Sequence, residues 1–288
     1  MRKLIWVVAL WGLGAACQHH ASSSQDLGTT LPGAENSATA LAATPVPKPL
    51  GARSPTLTAP MRALLRNHDL APLWSNNGPP QNDNPAIDGP TLDGFFGPDH
   101  YRISFVFTRV WRDSLNPALF HVQGKSLYKK DIAPFAGSLE VKRLAALNTR
   151  LDLAPDDSTA RAYTAESHFV LRESLATQSP GVFEGTGLLD FYVSANGAVE
   201  QVLVGRRNTP ARGQGLLLQG KWTSNRTKRQ KELLLARDVF QIAPDVLEHF
   251  DISERGSEIN PKYARLGWDD YWENREWWAD SPEPSLNL

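Results

Sequence analysis

The chain has 288 residues, 41% of them hydrophobic, with 30 basic side chains against 31 acidic ones and a single cysteine. A balance this close to neutral argues against nucleic acid or an anionic surface as a partner. One cysteine excludes a disulfide framework and any cofactor held by several thiolates, so the core must be held by burial alone.

Arg2 and Lys3 precede residues 4–16, which carry no charge and are rich in Leu, Val, Trp and Ala. That length suits a signal-peptide apolar region and is too short to span a bilayer. Leu13-Gly14-Ala15-Ala16-Cys17 follows. This run resembles the lipobox of bacterial lipoproteins, with Gly14 standing where the family prefers Leu. The resemblance implies removal of residues 1–16, acylation of Cys17 (palmitate among its lipids) and a membrane-anchored N-terminus. Gln18, where an Asp would mark inner-membrane retention, directs the expectation to the outer membrane. The alternative is an ordinary secreted protein cut after Ala16, with an incidental thiol. Loss of Arg2 and Lys3 leaves 28 basic and 31 acidic residues in the mature chain.

Residues 17–60 then comprise the lipidated cysteine and a tether of Ala, Ser, Thr, Pro, Gly and Gln with no apolar period. Such a segment reads as disordered and spans on the order of 35 Å as a coil. Residues 61–98 read as a short helix and a long loop. Thr58 is a candidate cap, Pro60 sits early, and Met61, Leu64 and Leu65 share a face. Asn76-Asn77-Gly78-Pro79-Pro80, Asp88-Gly89-Pro90 and Gly97-Pro98 punctuate the loop.

Residues 99–240 change to period two. Tyr101, Ile103, Phe105 and Phe107 alternate with polar neighbours, as do Phe120 and Val122, Phe135, Leu139 and Val141, and Tyr163, Ala165, Phe169 and Leu171. Each run reads as a half-buried strand. Residues 183–193 and 199–204 flank Ser194-Ala195-Asn196-Gly197, where Asn-Gly predicts a tight hairpin with positive φ at both turn positions. Residues 216–222 and 231–238 form a last hairpin across Asn225-Arg226-Thr227-Lys228. No helix is long enough for a parallel crossover, so the sheet is antiparallel.

About eight such strands bury one face and lose both edges by closing into an up-and-down β-barrel of lipocalin-like architecture. Gly124, Gly137, Gly185, Gly187 and Gly220 fall inside strands, where they permit the coiling that closure needs. A two-sheet sandwich is the alternative. Charged positions occupy the outward face, which is unlike a membrane-spanning barrel. The fold class expected is therefore all-β, with a disordered N-terminal tether and a short C-terminal helical segment.

Residues 241–288 form an aromatic-rich extension. A helical turn is expected over 243–250, and Asn260-Pro261 reads as cap and first turn of a helix over 262–278. Trp268, Tyr271, Trp272, Trp277 and Trp278 are the candidate ligand or partner surface, because such rings stack on sugars and anchor interfaces. The competing reading is that this segment folds back over the barrel.

No catalytic motif is present, and the candidate catalytic and metal sets are empty. Glu166 and His168 lie two apart on a polar strand face and read as solvated. The seven His are scattered, and His19-His20 on the tether would bind metal only weakly. The basic run Lys221, Arg226, Lys228, Arg229 and Lys231 reads as a hairpin tip kept soluble by charge. The expectation is a non-enzymatic, envelope-anchored ligand-binding or interaction protein without a cofactor. Its candidate partners are the membrane through Cys17, a small apolar ligand in the barrel, a glycan or an envelope protein. The alternatives are an envelope hydrolase on glycan or lipid, using two of Glu166, Glu173, Glu184 and Asp190, or a purely structural envelope component.

Overall fold

Nine antiparallel strands form one sheet: β1 (Thr91–Phe96), β2 (Tyr101–Arg112), β3 (Leu119–Tyr128), β4 (Asp131–Ala146), β5 (Arg161–Glu173), β6 (Gly181–Val193), β7 (Val199–Gln201), β8 (Leu216–Ser224) and β9 (Gln230–Ala236). The computed structural model describes residues 57–75, 90–147, 160–202, 209–212, 215–247, 250, 260–271 and 276–279. The expected signal segment, Cys17, His19-His20 and the tether up to residue 56 lie outside the described residues, and so does Trp272; Ala59 and Pro60, expected at the end of the tether, are instead the first residues of a helix.

The ring runs β1-β2-β3-β4-β5-β6-β8-β9 and returns to β1. β5 pairs with β6 along its length, from Arg161 opposite Val193 to Arg172 opposite Val182. β1 closes onto β9, with Asp93 opposite Ala236 and Phe96 opposite Leu233. This is a closed eight-strand up-and-down barrel rather than a sandwich, and closure leaves β7 as an extra strand. β7 pairs only with the last three residues of β6, whereas β8 takes the rest of that edge. Gly185 lies opposite Gly220 on this seam. A Cβ at either would meet a partner-strand carbonyl oxygen at 2.1 or 2.2 Å, so these glycines let two backbones approach as a coiled barrel requires.

Two staves differ from expectation. The barrel begins at Thr91 inside the expected loop, and residues 199–204 supply the short β7 in place of a stave. β1 escapes a period-two reading because both its faces are covered. Leu92 and Phe96 face the lumen, and Phe95 faces a second core on the outside. At the β6–β7 turn only Gly197 has positive φ, +83°, and its N–H donates to Ser194 O at 2.9 Å, so Asn196 keeps an ordinary backbone.

The inward positions of β5 show why the barrel is stable. Ala165, Ser167, Phe169 and Leu171 are buried, whereas Glu166, His168 and Arg172 point outward. Phe105, Phe120, Phe169, Phe183 and Phe191 are fully buried, and each such ring contributes roughly 3–5 kcal/mol against truncation. The outward charges and apolar lumen invert the pattern of a membrane-spanning barrel. No helix among the described residues is long and apolar enough to cross a membrane.

Helix α1 (Ala59–Asn67) and the single turn α2 (Ala71–Trp74) close one end of the barrel. Pro60 sits in the first turn of α1, where its missing N–H is harmless. Arg112, at the end of β2, donates to Leu65 O at 2.9 Å and to His68 O at 3.4 Å, tying down the carbonyl end of α1. Leu65, Leu70 and Trp74 are fully buried, and a Cβ on Gly187 of β6 would lie 3.5 Å from the Trp74 ring. The indole therefore plugs the lumen from that end.

The second core lies on the outside of β1, β6, β8 and β9. Phe95, Leu188, Leu217, Leu234 and Ala236 pack against Val239, Ile242, Phe250, Tyr263 and Trp268. The expected helix over 243–250 starts earlier, as an α-turn at Val239–Ile242 capped by the Asp238 carboxylate and followed by a 3-10 turn at Ala243–Asp245. The expected helix over 262–278 is also shorter, with an α-turn at Pro261–Tyr263 leading into a wide turn at Ala264–Trp268. Gly267 stops it with φ +84°, and a Cβ there would lie 2.6 Å from the Tyr101 ring.

Candidate ligand site at the barrel mouth

Strand direction sorts the turns. Those at residues 97–100, 129–130, 174–180 and 225–229 lie at the end of the barrel opposite α1 and α2. Phe96, Tyr101, Tyr128 and Glu173 end or begin strands at these turns, and Trp222 and Lys231 stand one or two residues inside the last hairpin. Lys231 shares its strand parity with Leu233 and Leu235, so its stem points inward and its ammonium ends among rings. The Nζ lies 4.8 Å from the Phe96 centroid, 4.8 Å from Tyr128 and 5.6 Å from Trp222. Lys129 Nζ sits 5.0 Å from Tyr101 and 5.4 Å from Tyr128. Ammonium groups over ring faces at these distances are attracted by the ring quadrupole.

The rings form walls. Phe96 meets Tyr128 at 5.0 Å and 79°, and meets Trp222 at 6.1 Å and 79°. Trp222 is fixed from two sides. Its ring lies so close on Gly181 that a Cβ there would be 2.3 Å away, and its Nε1 donates to Glu173 Oε2 at 2.9 Å. The same oxygen accepts from Gly181 N at 2.8 Å. Burial pushes the Glu173 carboxyl above the usual carboxylate range, opposed by these two donors and by the charge of Lys231.

Backbone strain gathers at this end too. Among the described residues, the non-glycine positions with positive φ are His100 (+53°), Lys129 (+50°), Lys130 (+71°) and Lys228 (+57°), and all four lie in mouth turns. Lys129 and Lys130 form a two-residue hairpin turn between Tyr128 and Asp131, a turn that normally takes Asn-Gly. Each left-handed lysine costs about 1 kcal/mol or more, and strain of this kind clusters at functional sites.

The other sequence candidates are dispersed. Glu166 and Glu184 point outward. Glu184 meets His168 at 3.0 Å, and Glu166 meets Arg143 at 3.9 Å. Glu173 stands at the mouth. Asp190 is fully buried on the outer side of β6, where it accepts from Thr164 Oγ1 at 2.5 Å and Ala211 N at 2.9 Å. The hydrolase reading requires two of these four carboxylates to face one cleft; Glu166 and Glu184 face outward on the neighbouring strands β5 and β6, Glu173 faces inward at the mouth, and Asp190 is buried.

Trp268 is fully buried and packs against Phe95 and Phe250 at 5.5 and 5.0 Å, so it is a core residue rather than a contact surface. Arg102 lies 4.9 Å from the Tyr271 ring, and burial beside Asp93 pushes the Tyr271 hydroxyl well above its ordinary range. Trp277 and Trp278 keep partial exposure, and Lys125 Nζ donates to Trp278 O at 2.6 Å.

Elsewhere on the outside, Trp111 stacks on His121 at 5.3 Å with Arg109 above it at 4.7 Å. His121 Nε2 meets Asp113 Oδ2 at 2.9 Å. No group of three or more His, Cys, Asp or Glu side chains suited to a metal occurs among the described residues.

Sequence reasoning missed the mouth. The usable signal was that aromatic residues cap strand ends beside alternate turns, and alternate turns of an up-and-down barrel share one end. No family model matches this chain, and no curated protein or solved structure matches it.

Proposed function

We propose that this is an envelope protein, lipid-anchored at Cys17 in the outer membrane, whose barrel domain is a non-enzymatic binding module. The binding surface is the barrel mouth opposite α1 and α2, and its occupant is a small ligand or a headgroup. The observation that carries this reading is the cluster of Phe96, Tyr128 and Trp222 rings around Lys231 Nζ, bordered by strained turns at the end opposite α1 and α2. Anchoring is supported by the lipobox-like run ending at Cys17.

The version with an apolar ligand deep in the lumen has less support. Phe105 and Phe183 meet across the barrel at 4.9 Å, and Trp74 fills the far end. Native mass spectrometry of the full chain, extracted gently from envelopes, tests the reading. A reproducible adduct lost in Trp222→Ala supports it, and a bare mass in both proteins contradicts it. Fractionation of Cys17→Ser tests the anchor separately: release from membranes is expected, and unchanged membrane retention would refute lipidation at that residue.

A further inference from the structure

We infer that the mouth is a cage for a quaternary ammonium group, held closed in the free protein by the chain's own Lys231. The inference rests on the mouth being the binding surface and goes further by naming the ligand chemistry and what occludes it. Three aromatic walls converge on a single cationic nitrogen, at 4.8, 4.8 and 5.6 Å. The walls stand nearly perpendicular where Phe96 meets Tyr128 and where it meets Trp222. A lumen filled by packing alone has no need of an ammonium here, and a methionine would fill the same space without a charge to desolvate.

A primary ammonium is a poor permanent tenant. It is compact and strongly hydrated, and its flexible four-carbon stem lets it return to water at little cost. A trimethylammonium group is larger and weakly hydrated, and it gains more from ring faces, which is why aromatic cages select it. Its counter-charge is in place, because Glu173 is fixed against the Trp222 indole N–H. Lys129, over Tyr101 and Tyr128, stands where the anionic part of a zwitterion would meet a cation. Binding is then an exchange in which Lys231 swings to solvent beside the 225–229 turn and the ligand cation takes its position. The apparent affinity is lowered by the fraction of molecules whose cage is self-occupied.

The test is titration of the full chain with choline and phosphocholine, followed by calorimetry and tryptophan fluorescence. The neutral isostere 3,3-dimethylbutan-1-ol serves as control, and phosphatidylcholine vesicles report whether a lipid headgroup is also accepted. Lys231→Ala is expected to bind choline about fivefold or more tightly than the parent chain. Trp222→Ala and Tyr128→Leu are expected to lose it, and Glu173→Gln to weaken it. Either aromatic variant suffices if the other does not fold.

Choline binding unchanged or weakened in Lys231→Ala would overturn the inference, as would equal binding of the neutral isostere. So would no binding in either protein. A Trp222-dependent native adduct without choline binding would leave the mouth as the site and remove only its assignment to quaternary ammonium. Loss of both would remove the mouth as well.

Discussion

Phe105 on β2 and Phe183 on β6 meet edge to face, 4.9 Å between centroids, although their strands stand on opposite sides of the eight-strand ring. The contact spans the lumen and makes the barrel a packed core. Phe183→Ala should therefore cost about 3–5 kcal/mol, read as a lowered urea midpoint with unchanged slope. A cost below about 1 kcal/mol would mean that the lumen is open and the rings are loosely placed.

Arg102 joins the barrel to the C-terminal segment. Its Nε donates to Asp93 at 3.0 Å and its Nη1 to Asp270 at 2.9 Å, and its guanidinium lies 5.5 Å from Trp268. Burial works against this charge, and the two carboxylates more than offset it. Arg102→Ala leaves Asp93 buried with its charge unmatched. The expected cost is about 3–5 kcal/mol, with a red-shifted Trp268 emission as the segment lifts. Trp277→Ala should change stability far less, because that ring is only partly buried.

The mouth turn at Lys129-Lys130 is strained for its lysines and unstrained for Asn-Gly. The double substitution Lys129→Asn with Lys130→Gly should raise stability by about 1–2 kcal/mol. It should also weaken phosphocholine binding at the mouth by removing the ammonium over Tyr101 and Tyr128. A thermal melt and the phosphocholine titration read the two effects together. Lower stability would show that the lysines are held by contacts worth more than their backbone strain.

Two aspartates give opposite pH signatures. The Asp113 carboxyl is lowered to about 2 by the His121 hydrogen bond and by the N–H groups of Asn116 and Leu115. Its contribution is present above the ordinary carboxylate pKa and is lost as pH falls toward 2. In a carboxyl-detected NMR titration, His121→Ala should move that midpoint upward. Asp190 runs the other way. Burial raises it against the Thr164, Ala211 and Thr209 donors, so its ionisation opposes folding and stability from this group falls as pH rises through the raised value. Asp190→Ala should still cost about 1–3 kcal/mol by orphaning those donors, with faster exchange of the Ala211 amide.

What the sequence made legible follows from which faces are wet. β3, β4 and β5 have one solvated face, and their alternation marks them as strands. β1 and the start of β8 are covered on both sides, by the lumen and by the second core, so Thr91–Phe96 lacks the alternating signature. Asn196-Gly197 carried the expected turn signal, yet the tight hairpin with two left-handed residues is Lys129-Lys130, where local preference yields to the site. Lys231 illustrates the limit best. In sequence it belongs to a charged hairpin tip, and only its inward parity on β9, beside Phe96 of the closing strand, places its ammonium inside a cage.

The most direct measurement is the set of indole N–H signals in a ¹H–¹⁵N spectrum of the full chain, assigned by substitution and followed during addition of a cell-envelope extract. If the mouth is the binding surface, the Trp222 signal shifts while Trp74 in the lumen and Trp268 in the second core stay in place. A shift confined to Trp74 or Trp268, with Trp222 unmoved, would contradict it.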